Sequence, residues 1–236
     1  MLDWLYPNTC EFCGELSDST ICPACLNALA RVPRPICLYC GAPTYGLAES
    51  GDGCRSCRGF SRDYDFARAA LLRTPPTMEL VHAFKYGRAA HLCRALAALL
   101  AALWDNTPQL RNCREWGLVP VPILRSRLFQ RGYNQAEELA VALGGLRGLQ
   151  VIHPLCRVDT GQSSQTRLSA NERRRNARQA YQLTPGWREG KKTPPSHLLV
   201  VDDVYTTGAT ARACAAKLRL LPGVKQIGVL TLVRAG

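Results

Sequence analysis

The stretch 197-HLLVVDDVYTTGAT-210 decides how the rest of the chain is read. Leu198 to Val201 are an unbroken apolar run, which reads as a buried strand. Asp202 and Asp203 follow, where such a strand leaves its sheet. Thr206, Thr207, Gly208, Ala209 and Thr210 then make a turn before the helical pattern ARACAAKLRLL. In an open α/β sheet, ligands bind outside the carboxyl ends of the strands. A Thr/Gly-rich turn that opens a helix aims backbone N–H groups and the helix's positive end at one point, and so holds a phosphate without a positive side chain. The threonine hydroxyls add donors, and Gly208 permits φ > 0 or a close backbone approach. Two carboxylates repel a phosphate, so Asp202 and Asp203 suit the vicinal hydroxyls of a sugar, or a metal that carries further phosphates. A ribose 5-phosphate satisfies both halves. Two other readings compete: a plain strand followed by an Asp-capped helix, and a receiver domain. A receiver's acid pair lies near the start of its domain, whereas this pair lies near the end of the chain.

At 236 residues and 47% apolar content, the chain is long enough for one full domain with its own core plus a small one. The longest apolar segment, CRALAALLAALW, falls short of the roughly 20 residues a membrane helix needs, so no span is expected. The sequence MLDWLYPNTC lacks the basic and apolar regions of a signal peptide, so the expected location is cytoplasmic. The net charge of +12 is uneven. Residues 1–60 hold four Lys/Arg against six Asp/Glu, and residues 61–236 hold 26 against 12. A basic larger part suits phosphate-rich ligands or nucleic acid.

Four Cys-x-x-Cys pairs fill the N-terminal part: Cys10/Cys13, Cys22/Cys25, Cys37/Cys40 and Cys54/Cys57. Each pair puts two thiolates on one side of a tight turn, and two such knuckles close a tetrahedron around zinc. Gly14 and Gly41 directly follow the second Cys of their pairs, where the turn calls for a residue without a Cβ. Disulfides suit a secreted chain, and a redox Cys-x-x-Cys would not come four times in succession. Eight ligands imply two structural zinc ions, paired either sequentially (10/13/22/25 and 37/40/54/57) or interleaved. Apolar residues are too thin here for a separate core, so metal binding supplies most of this part's folding energy. The expected organisation is a zinc module over 1–60 and an α/β domain over 61–236.

Within the second domain, Tyr64 to Leu72 reads as a strand and MELVHAFKYGRAAHL as a helix with Lys85 and Tyr86 at its end. Lys85 is either a solvated C-terminal charge or a pyrophosphate ligand. His91 to Trp104 is apolar almost all round, which predicts a helix buried on the sheet. LVPVP (118–122) reads as a short strand ended by proline; Arg125, Arg127 and Arg131 follow it, positioned to face phosphate oxygens. Asn134 is an expected N-cap for a helix through Leu143, followed by a loop over 144–148 and a strand over 149–154. Residues 157–182 are Arg-rich, with Arg167, Arg173, Arg174 and Arg175 set for a lid over a ligand or for nucleic-acid backbone contacts; Ser169 and Glu172 make a capping box. Tyr181 is the one aromatic in that stretch for base stacking. A Pro/Gly-rich basic connection over 185–195 and a last strand over 226–233 complete the chain.

The run VVDDVYTTGAT resembles the phosphoribosyl pyrophosphate (PRPP) fingerprint of type I phosphoribosyltransferases. With the Cys-x-x-Cys pairs, HAFKYGR, VPVP with RGYNQAEELA, and TRLSANERRRNARQAY, the chain resembles the ComF family of bacterial competence-associated proteins over essentially its full length. That resemblance implies a type I phosphoribosyltransferase-like parallel sheet flanked by helices, joined to a double zinc-ribbon module. It implies PRPP bound with Mg²⁺, with Asp202 to Thr210 on ribose 5-phosphate, Lys85 and Tyr86 in the pyrophosphate loop, and Arg167 to Tyr181 in a hood loop. It also implies single-stranded DNA as a partner, a helicase of the DNA-uptake machinery, and work at the inner face of the cytoplasmic membrane. Two functions stand side by side: PRPP binding tied to DNA uptake, or an active phosphoribosyltransferase with a metabolic acceptor. Residues 1–60 resemble no glutaminase, which argues against glutamine-dependent chemistry.

Overall fold

The structure is a computed structural model that describes residues 9–45, 54–55, 57–59, 61–86, 90–111, 115–159 and 179–235. In chain order its first elements are α1 (Pro23–Ala28), β1 (Phe66–Leu72), α2 (Pro75–Tyr86), α3 (Cys93–Asp105), α4 (Pro108–Arg111), β2 (Trp116–Pro120), α5 (Arg125–Arg131) and α6 (Gln135–Arg147). Then come β3 (Leu155–Arg157), β4 (Tyr181–Leu183), α7 (Pro185–Arg188), β5 (His197–Tyr205), α8 (Ala209–Leu218) and β6 (Gln226–Arg234).

Four strands form one parallel sheet in the order β1-β6-β5-β2. Their near-continuous apolar runs are what a sheet covered on both faces requires. Strand alternation then sorts side chains between two cores. Leu118, Leu199, Val201 and Leu230 pack with α2, α3 and α6; Val119, Leu198, Val200 and Val229 pack with α8. The cysteine-rich part supplies both cores: Cys10, Ile21 and Leu29 join the first, and Cys37, Tyr39, Cys40 and Cys57 join the second. It also covers the β1 edge, where the Ala67 N–H donates to the Tyr39 carbonyl (2.7 Å) and Leu72 N–H to the Ala30 carbonyl (2.8 Å).

Several expectations are met and several change. Asn134 caps α6, its side chain accepting from Ala136 N–H at 3.2 Å. That helix does not stop at Leu143. It runs through Gly144 and Gly145 to Arg147, and only Gly148 turns left-handed (φ 65°) to close it. Packing overrides the poor helix propensity of glycine here: the Leu149 carbonyl lies 2.8 Å from where a Cβ on Gly144 would stand. The expected strand over 149–154 reduces to a single bridge, Leu118 to Val151, with hydrogen bonds at Gln150 and Ile152. Pro154 cannot donate to a ladder, and regular pairing begins only beyond it, between β3 and β4. α3 is amphipathic rather than buried all round: Leu96, Ala97, Leu100 and Trp104 are covered while Ala98 and Ala102 are exposed, as alanine tolerates either side. The connection over 185–195 contains the one-turn helix α7, pinned by buried Trp187. The Arg-rich stretch 160–178, with its capping box, lies outside the described residues.

Candidate functional site

β2 ends at Pro120, opposite Val201, while β5 continues beside β6 as far as Tyr205. Asp202 and Asp203 therefore lie inside β5 rather than beyond it, on the part of the strand that β2 no longer covers. A cavity of about 310 Å³ opens there. Lys85, from the last turn of α2, reaches across it and pairs with Asp203 at 2.6 Å. Asp203 is 8% exposed, and Lys85 is the partner of its inner oxygen. Beside it, burial and then the charge of Asp203 push the Asp202 carboxyl up to about 8, against the opposing pull of the Asp203 N–H (2.9 Å) and Lys85. That upward shift favours the protonated form of Asp202 beside the Asp203–Lys85 ion pair.

Cations form the opposite wall. Arg127, Arg131 and Arg157 line the same cavity. Arg131 donates to Gln135 Oε1 and to the Tyr86 hydroxyl, each at 2.9 Å, with its guanidinium 4.8 Å over the Tyr86 ring. Arg157 sits 5.4 Å over the buried ring of Tyr181. Among the described residues, the Nε atoms of both arginines are buried without a hydrogen-bond partner. The wall is braced from behind: the Tyr133 hydroxyl donates to the Phe84 carbonyl, and the Asn134 amide donates to the Val121 carbonyl at 3.0 Å.

The floor is the turn 206–208. Gly208 takes φ 72° and α8 starts at Ala209, so the N–H groups of its first turn have no intrahelical acceptor. A Cβ on Gly208 would stand 2.3 Å from the Tyr205 hydroxyl, so this position requires glycine for space as well as for φ. Buried Arg212 donates to the Thr207 carbonyl (2.7 Å) and fixes the turn from the helix side. Below it the Tyr205 and Tyr64 hydroxyls meet at 2.6 Å, and Tyr64 stacks on Tyr39 with ring centroids 4.6 Å apart. Arg234, 2% exposed, covers the Tyr205 ring at 4.8 Å and donates to the Cys40 carbonyl (2.6 Å) and toward Cys40 Sγ (3.6 Å).

The eight knuckle cysteines form two groups, Cys10/Cys13/Cys22/Cys25 and Cys37/Cys40/Cys54/Cys57, with the ligand atoms of each within 4.8 Å of one another. This settles the pairing as sequential. A tetrahedral zinc–thiolate site has sulfur–sulfur edges of about 3.8 Å. The described Sγ separations, Cys13–Cys22 at 3.8 Å, Cys37–Cys57 at 3.7 Å, Cys40–Cys54 at 3.5 Å and Cys54–Cys57 at 3.7 Å, match that edge. Gly14 and Gly41 both take the expected positive φ, 74° and 72°. Burial, and then the neighbouring Cys37 and Cys54 sulfurs, push the Cys57 thiol up to about 11, so thiolates persist there only with a cation among them. Both groups fit a structural zinc ion.

Comparison with known proteins agrees with this geometry. The double zinc ribbon domain family matches residues 1–58. DNA utilization protein YhgH of Salmonella typhimurium is 30% identical over 237 residues, covering 97% of this chain and 97% of its own. This chain belongs to the ComF/YhgH family. Competence protein F of Haemophilus influenzae is 29% identical over 224 residues (94% of this chain, 93% of its own), and competence protein ComFC of Bacillus subtilis 25% over 221 (92% and 85%).

In this ComF-family fold, Lys85, Asp202, Asp203, Thr206, Thr210, Arg127 and Arg131 come together around one cavity. Gly208 and Ala209 line an adjoining recess of about 40 Å³ with Asp202 and Thr210, and Thr207 accepts from the Ala209 N–H at 3.4 Å. Tyr86 is exposed and reaches the site through Arg131. Arg125 is exposed and stands outside the lining. Tyr181 is buried, 2% exposed, so it supports Arg157 and is not a stacking surface. Arg167, Arg173, Arg174 and Arg175 lie outside the described residues. Sequence reasoning counted Arg157 only within the Arg-rich stretch 157–182, and missed Gln135 as a site residue and Tyr64, Tyr205 and Arg234 as supports; only the tertiary fold brings them here. No helix among the described residues is long and apolar enough to cross a membrane.

Proposed function

We propose that this protein binds PRPP with Mg²⁺ in the cavity at the end of β5 and takes part in the uptake and handling of single-stranded DNA in natural transformation. The observation that carries the ligand reading is the convergence on that cavity of an acid pair, Lys85, and a turn opening α8. The turn Thr206–Thr210 would hold the 5-phosphate, Asp202 and Asp203 the ribose hydroxyls, and Lys85 with Arg127, Arg131 and Arg157 the pyrophosphate. Mg²⁺ supplies charge neutralisation on the pyrophosphate when bound. The DNA reading is supported by the relatives named for competence and DNA utilization and by the excess of Lys/Arg over residues 61–236. Arg125, Arg167, Arg173, Arg174 and Arg175 would add backbone contacts, with a helicase of the uptake machinery as protein partner at the cytoplasmic face of the membrane.

Calorimetric titration with PRPP, with and without Mg²⁺, tests the ligand reading. Magnesium-dependent binding that is abolished by Asp202→Asn with Asp203→Asn, while oligonucleotide binding persists, is the expected result. Absence of PRPP binding in folded, zinc-loaded protein overturns it. The acid pair and Lys85 are also the parts an active phosphoribosyltransferase needs. That reading, with a metabolic acceptor, requires PRPP binding and pyrophosphate release without any affinity for single-stranded DNA.

A further inference from the structure

Like α1, α5 buries nothing. None of its seven residues, RSRLFQR, is buried, and none is acidic. Phe129 is 94% exposed, the most exposed of the large apolar side chains among the described residues, and Leu128 beside it is 42% exposed. A phenyl ring held in water contributes nothing to the core. The helix is nevertheless fixed at its C-terminal end. Gly132, at φ 82°, closes it by donating to the Leu128 carbonyl (2.8 Å), and Arg131 ties it to Tyr86 and Gln135.

Helix periodicity divides α5 into two working sides. Arg127 and Arg131, four residues apart, both line the cavity. Phe129 lies two residues from each, and so on the other side of the helix, which it shares with Arg125, again four residues away. An exposed ring with a guanidinium about 6 Å along the same face is a unit for stacking one base and holding the neighbouring phosphate. In a duplex the base faces are already stacked, so the unit selects single strands. The neighbours on the helix, Ser126 and Gln130, are polar, and within α5 only Leu128 adds exposed apolar surface beside the ring.

We infer that the outward face of α5 is a base-stacking platform for single-stranded DNA, with Phe129 as the stacking residue and Arg125 as its phosphate contact, back to back with the Arg127/Arg131 wall of the phosphoribosyl cavity. This rests on the DNA reading above. The two ligands are thus read by opposite sides of one short helix.

The test measures fluorescence anisotropy of a labelled oligothymidylate with the full zinc-loaded chain and its variants. Phe129→Ala is expected to bind roughly tenfold more weakly, the loss typical of one base without its ring. Phe129→Leu should fall equally, and Phe129→Trp should retain wild-type affinity. On an abasic strand of the same length, wild type and Phe129→Ala should bind alike, and PRPP titration should not distinguish them. Unchanged oligothymidylate binding by Phe129→Ala, or an equal loss on the abasic strand, overturns the platform while leaving the DNA reading intact. A wild-type chain that binds no strand overturns both.

Discussion

The two zinc sites begin alike and end differently. Both open with Cys-x-x-Cys-Gly, and both make the same turn, with Gly14 N–H to the Cys10 carbonyl and Gly41 N–H to the Cys37 carbonyl, each at 2.9 Å. In the first, Cys10 is buried, Cys13 exposed, and Cys22 and Cys25 lie between. In the second, Cys37, Cys40 and Cys57 are all buried. Gly41 is pressed so closely on β1 that a Cβ would stand 2.4 Å from the Ala67 carbonyl, and Arg234 spans from Cys40 to Tyr205. Ligand spacing decides that a metal is held. The surroundings decide what depends on it: one margin of the α3-side core, through Cys10, Ile21 and Leu29, in one case, and the α8-side core with the floor of the cavity in the other.

Removing a ligand from each site should break that comparison open. Cys40→Ser is expected to lower the thermal midpoint of the whole chain, by the equivalent of several kcal/mol. Cys13→Ser should leave the main transition within a few degrees of wild type. Equal losses would mean that the sites are equivalent supports. The rates of metal loss sharpen the point. With a chelator and a colorimetric zinc reporter, one equivalent should leave quickly, from the site with the exposed cysteine, and the second slowly. A single phase releasing both contradicts the difference in burial.

Arg234→Met probes the second site alone. A zinc–tetrathiolate centre carries net negative charge, and a buried guanidinium beside Cys40 offsets it. Its loss should weaken zinc at this site by about 10–100-fold and leave the other unchanged, as read by competition with a metal indicator. The smallest effect concerns Asp202. Its carboxyl is raised to about 8 in the fold, so its protonated form is favoured there. That contribution is complete below the unfolded value near 4 and is lost as pH rises toward 8. Asp202→Asn should therefore match wild type at pH 4 and melt higher than wild type at pH 8. A reversed order removes the argument from burial.

The sequence made the strongly patterned elements legible. The run Leu198 to Val201, the Thr/Gly turn, and the Cys-x-x-Cys knuckles each state their geometry locally, through periodicity or through spacing that admits one turn. Elements held by tertiary contact were not legible. α6 keeps Gly144 because the Leu149 carbonyl occupies the space of a side chain, whereas Gly145 faces open space. Arg157 enters the site because β3 and β4 pair across a long insertion. The three arginines after β2 read as one cluster, whereas the helix they belong to sends Arg127 and Arg131 one way and leaves Arg125 outside the cavity.

The ladder Tyr39–Tyr64–Tyr205 has a consequence for the turn it supports. Tyr205 fills the space under Gly208, Arg234 clamps its ring, and Arg212 holds Thr207 from the side. A loop fixed from beneath has little conformational freedom left to lose when an anion settles on it. Its pre-organisation is then an entropic advantage that a phosphate group meets on arrival. For the phosphate ligand proposed above, part of the affinity would accordingly be stored in the packing around the second cysteine group, on the opposite side of the tyrosines from the ligand itself.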